Sequence, residues 1–217
     1  MTGITKGSRT TPDERVAVAP RRQARAPRPA VAKPPLSGRV AALDFETADY
    51  GRDSACALSV VVIENDQIAA RWTSLIRPPR REFVFTYIHG IAWADVADQP
   101  TFGELWPTVL KWLGPVDFIA AHNASFDRSV LRACCDKSGH EPVTCPFLCT
   151  VKLARTTWGI FPTTLPDVAR HLNIPLQHHD AASDAWACAQ ILVKAREDGH
   201  RYEDLLERHG LKPARKK

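Results

Sequence analysis

The sequence predicts an α/β protein with a central mixed sheet flanked by helices. Three observations carry that expectation. Apolar, β-branched runs of strand length come first, before residue 77. Helical periodicity takes over after residue 100, with one short strand between helices. The first strand has no reliably polar face, as expected of an interior strand covered on both sides.

The elements follow in order. Residues 39–46 read as the first strand, and 56–63 and 68–76 as two more. Asn65-Asp66 between the latter two is turn chemistry, so these strands are expected to form hairpins. Residues 101–113 space Phe102, Leu105, Trp106, Val109, Trp112 and Leu113 as one helical face, with Thr101 as N-cap. Residues 117–121 form a short buried-type strand. Helices are expected over 125–137, near 151–157, over 165–172 and 181–196, and briefly over 202–209.

Composition fits a folded body with basic ends. The chain has 217 residues, 44% of them hydrophobic, and its apolar runs fall far short of the roughly 18 residues a membrane span needs. Residues 1–37 contain six prolines and no aromatic residue, too little apolar surface to offset the entropy of ordering. They are expected to form a disordered basic arm, followed by a folded domain over 38–211 and a basic tail over 212–217. The arm carries +6 and the tail +4 against +5 for the whole chain, so the body between them carries −5. Basic tails suit a polyanion or simply solubility; an acidic body suits a metal site. The six cysteines lack a secretory context, so reduced thiols in a cytoplasmic protein are expected.

Carboxylates appear where apolar residues are expected. On the first strand Val40, Ala42, Asp44 and Glu46 share one face. Asp44 and Glu46 then lie about 7 Å apart on one side of the strand end. They repel there unless a cation lies between them or the strand has reached solvent. Asp127 heads an apolar stripe of Val130, Leu131 and Cys134, although its place in the first turn also suits the helix N-terminus. Asp184 heads a second stripe of Ala187, Cys188, Ile191 and Leu192. His179 lies five residues before Asp184, just ahead of the N-cap candidate Asp180; taken alone it also suits an ordinary loop. Oxygen ligands of this kind call for Mg²⁺ or Mn²⁺ rather than zinc.

These residues also stand in a recognisable pattern. Asp44-Phe45-Glu46-Thr47, His122-Asn123-Ala124-Ser125-Phe126-Asp127 and His179-Asp180-Ala181-Ala182-Ser183-Asp184-Ala185 resemble, in order and spacing, the three motifs of the DEDDh, or DnaQ-like, 3′–5′ exonucleases. That group includes the proofreading epsilon subunit of bacterial DNA polymerase III. Ile88-His89-Gly90-Ile91 is similar to the family's His-Gly-Ile segment. The resemblance implies a ribonuclease H-like fold, with Asp44, Glu46, Asp127 and Asp184 holding two Mg²⁺ or Mn²⁺ ions. It implies His179 as general base, since the family's His-x4-Asp spacing selects it over His178. Thr47 and His89 would contact the scissile nucleotide. Asn123 and Phe126 would shape or support the pocket, with core packing the favoured role for Phe126. The implied substrates are single-stranded or frayed DNA 3′ ends, with RNA as the alternative. The implied partners are a DNA polymerase or a repair complex, and no membrane. The other alternative is a non-catalytic accessory module.

One prediction concerns the arm, which holds eight Lys/Arg. If three or four of them engage phosphates, deleting 1–37 makes the logarithmic salt dependence of binding to long single strands shallower by about 2 to 3. Turnover on a trinucleotide should stay the same. Equal salt slopes for the full and truncated chains would show that the arm does not hold nucleic acid.

Overall fold

The computed structural model describes residues 1–3 and 38–212. The expected arm and tail lie outside the described residues, apart from those ends. From Gly38 onward the described residues belong to one compact unit.

Five strands form one mixed sheet in the order β3-β2-β1-β4-β5. β1 (Arg39–Thr47), β2 (Ala55–Glu64) and β3 (Gln67–Leu75) are consecutive and antiparallel. β4 (Ile119–Ala121) and β5 (Phe147–Cys149) add parallel to the other side of β1. Asn65 and Asp66 both take positive φ, 52° and 64°, which matches the right-handed twist of the two strands they join. The hairpins are as expected. β5 was not, because three residues carry too little pattern to separate them from the helix that follows.

Alternation along β1 divides the core. Val40 and Ala42 pack on one side with Val61, Ile63, Phe118 and Leu148. That side is covered by α5 (Thr150–Trp158), α6 (Leu165–His171), α7 (Ala181–Glu197) and α8 (Tyr202–Arg208). Ala41, Leu43 and Phe45 pack on the other side, beneath α3 (Phe102–Trp112) and α4 (Ser125–Ser138). β1 is therefore buried on both faces, which is why its sequence shows no polar face. α7 is alanine-rich: Ala185, Ala189 and Ala195 are fully buried and bring this helix close to the sheet. Two four-residue helices, α1 (Thr86–His89) and α2 (Trp93–Val96), are too short to leave a periodic signature in the sequence.

Thr101 caps α3 as expected. Its hydroxyl accepts from the Glu104 N–H, and Glu104 accepts from the Thr101 N–H at 2.7 Å, a reciprocal capping box. Pro107 inside α3 has no N–H to offer the Gly103 carbonyl four residues back. His140 Nε2 meets that carbonyl at 3.3 Å, and its ring stacks on Trp106. The helix thus keeps its proline without an orphaned acceptor.

The cap gives a test of the fold. Thr101→Ala should cost about 1 kcal/mol, lowering the melting temperature by about 2–4 °C in a thermal melt. No change would mean that α3 is held by packing alone.

Candidate metal and active site

The site forms where β1 runs out. Asp44 and Glu46 project from the face covered by α7, whose first turn supplies Asp184. Asp127 arrives from the other side, in the first turn of α4. β4 pairs with β1 only at Ala41 and Ala42 and ends at Ala121, so the Phe45 N–H lies beyond the ladder. Asp127 Oδ1 accepts that N–H at 3.2 Å. A buried backbone donor is satisfied, and the Asp127 carboxylate is fixed beside β1. The register shift between Glu46 and Thr47 lies at this same end of the strand, the usual place for a bulge beside a site.

Oxygens of Asp44, Glu46 and Asp184 all lie within 4.8 Å of one another. Asp184 is held unevenly. Its Oδ2 lies 2.9 Å from His178 Nδ1 and accepts the His179 backbone N–H at 3.2 Å. Its Oδ1 is buried and has no partner. A buried carboxylate oxygen without a donor, on a residue that clusters with two other carboxylates, fits a divalent cation well. The residues present therefore suit the ion that the motifs imply.

The electrostatics agree. Burial, followed by the charges of Asp127, Asp184 and Glu46, pushes the Asp44 carboxyl well above the ordinary range. Burial and then Asp184 and Asp127 raise Glu46 to about 8. Burial raises Asp127 to about 7, against the opposing pull of the Phe45 N–H and Arg52. Asp184 is also raised by burial, restrained by its His178 and His179 contacts. Asp180 caps α7 as expected, accepting from the Ser183 N–H at 2.8 Å, and adds one more negative charge nearby. Beneath the site, Cys188 is held protonated by burial and then by Asp44 and Asp127.

The remaining expected residues are spread around this centre. His179 is exposed, with φ of 69°, and its ring stacks on His178 at a centroid distance of 3.8 Å. His89 is half-buried. Its Nδ1 accepts the Ile91 N–H at 3.1 Å, so Nε2 carries the proton and donates to the Thr47 carbonyl at 3.2 Å. Gly90, with φ of 78°, makes the turn that brings Ile91 back onto that ring. The Thr47 side chain is buried. Asn123 is exposed, and its side-chain oxygen accepts from Ser125 Oγ at 3.1 Å. Phe126 packs against the α3/α4-side core, with the Arg52 guanidinium 4.4 Å above its ring.

Two contacts had no sequence signal that isolates them. Arg52 meets Phe126 through loop packing. His178 reaches Asp184 across six residues, a spacing without helical or strand meaning.

The chain matches the sequence model of the RNase_T family, described as an exonuclease, over residues 41–192. It belongs to that exonuclease family. That membership bears out the resemblance to an exonuclease family. Among curated proteins, a PolC-type DNA polymerase III from Bacillus cereus is 30% identical over 175 residues. That match covers 75% of this chain and 12% of the polymerase. The PolC-type enzyme of Thermotoga maritima is 30% identical over 156 residues, 70% of this chain and 11% of that protein. The chain thus corresponds to about an eighth of these relatives.

Among solved structures, Exonuclease X in complex with 5′ overhanging duplex DNA superposes with a TM-score of 0.63 at 24% identity. It covers 77% of this chain and 98% of that one. The nuclease domain of 3′hExo, a DEDDh family member bound to rAMP, gives 0.65 at 17% identity, covering 86% and 100%. These likenesses bear out the ribonuclease H-like fold of the chain. Among its described residues, no helix is long and apolar enough to cross a membrane.

The raised carboxyl groups set a pH dependence. Between the ordinary carboxylate range near 4 and about 8, the metal-free folded protein holds protons that the unfolded chain has released. Its stability therefore falls as pH rises through that window. Half-buried His89 and His122, both lowered by burial, act the opposite way, but only up to about 6.5. In EDTA, the melting temperature should fall between pH 6.5 and 8, and Asp44→Asn should flatten that slope and melt a few degrees higher at pH 8. A wild type that is flat across this window, matched by the variant, would contradict mutual repulsion at the site.

Proposed function

We propose that the chain is a metal-dependent 3′–5′ exonuclease acting on single-stranded or frayed DNA ends and releasing nucleoside 5′-monophosphates. The observation that carries this reading is the buried, unpartnered Asp184 Oδ1 beside Asp44 and Glu46. Asp44, Glu46, Asp127 and Asp184 would hold two Mg²⁺ or Mn²⁺ ions. Such ions, when bound, stabilise the charge that builds on the attacking and leaving oxygens of a phosphodiester.

The chain's own groups do the rest. His179 takes the proton of the attacking water on an imidazole nitrogen. Partial burial and the nearby His178 lower its pKa, which keeps the ring neutral and ready to accept at neutral pH. His89 has its Nε2–H committed to the Thr47 carbonyl, so it steadies the loop against which the terminal nucleotide rests. Asn123 borders the pocket, and Phe126 anchors the first turn of α4 on the core. The intact carboxylate set argues against a silent accessory module, since four repelling carboxylates cost stability without a ligand.

DNA is the favoured substrate because the curated relatives are DNA polymerases. RNA remains the second reading, on the strength of the rAMP-bound neighbour. A DNA polymerase or repair complex is the proposed partner.

Labelled DNA and RNA strands incubated with Mg²⁺, Mn²⁺ or EDTA decide between these readings. DNA should shorten from its 3′ end with release of mononucleotides, and EDTA should stop it. Faster loss of RNA would reverse the substrate, and no metal-dependent release from either would remove the enzymatic reading. His179→Ala should lower kcat by about 10²–10⁴-fold, the usual contribution of a general base.

A further inference from the structure

We propose that His178 is a positioning residue for Asp184, fixing which carboxylate oxygen faces the metal site. The role rests on the metal-dependent reading above. His178 Nδ1 lies 2.9 Å from Asp184 Oδ2. An ionised carboxylate only accepts, so Nδ1 carries the proton in this contact. The His179 backbone N–H donates to the same oxygen at 3.2 Å. With two donors on Oδ2 and none on Oδ1, the carboxylate has one preferred rotation. That rotation leaves Oδ1 without a protein donor, on a residue that clusters with Asp44 and Glu46.

The local backbone supports the same role. His179 adopts φ of 69°, a conformation that needs its surroundings to hold it. The stack of the two rings, 3.8 Å between centroids and 23° between planes, holds the pair together over Asp184. Removing the His178 ring would take away the Asp184 contact and the stacking partner of His179 at once. The arrangement matches the general pattern in which groups behind a metal ligand orient it, where loss costs about 10–100-fold in metal affinity.

Calorimetric titration of Mn²⁺ into the full chain without nucleic acid tests this, using wild type, His178→Ala and His178→Asn. The alanine variant should bind Mn²⁺ about 10–100-fold more weakly. Asparagine can place an amide N–H near the Nδ1 position but offers no proton-accepting ring, so it should restore most of the affinity. Nuclease turnover of both variants should recover as Mn²⁺ is raised. Wild-type affinity in His178→Ala would overturn the positioning role while leaving the metal site intact. A turnover loss that neither saturating Mn²⁺ nor asparagine rescues would overturn it in favour of His178 as the base. Failure of wild type itself to bind Mn²⁺ would remove the metal reading and this role with it.

Discussion

Four carboxylates gathered at the end of one buried strand repel one another, and the rest of the fold is the scaffold that keeps them there. β1 is anchored on both faces by separate cores, so its C-terminal end does not yield to the repulsion. α7 lies close because its sheet-facing positions are small, which sets Asp184 against Asp44 and Glu46. α4 brings Asp127 to the other edge, where the early end of β4 leaves the Phe45 N–H open for it.

The carboxylates are tethered by different means. Asp127 is held by the backbone of β1, a donor that only a proline at position 45 would remove. Asp184 is held by a histidine ring and a backbone N–H in an unusual conformation, so its orientation depends on two neighbouring residues. Asp44 and Glu46 are placed by strand alternation alone. Crowding four carboxylates in this way raises proton affinities far above the ordinary carboxylate range.

Much of this was legible in the sequence, for physical reasons. Asp44 and Glu46 announce themselves because strand alternation puts them on the same face as Val40 and Ala42. Asp127 and Asp184 do so because each heads an apolar stripe at helical spacing. Asp180 and Thr101 were legible as caps because capping is local chemistry. What escaped depends on tertiary geometry. The three residues of β5 carry no period, and the Asp127 bond to Phe45 depends on where β4 stops. The spacing that selects His179 is silent about the ring of His178, which lies 2.9 Å from Asp184.

On the proposed reading, a divalent cation displaces the protons that the raised carboxyl groups of the cluster hold. Titrating Mn²⁺ into the protein at pH 7, in buffers of different ionisation enthalpy, counts the protons released on binding. Glu46, raised to about 8, and Asp127, raised to about 7, are partly protonated at that pH, so binding should release close to one proton or more. Binding with no proton release, or no saturable binding at all, would contradict a cation site among these carboxylates.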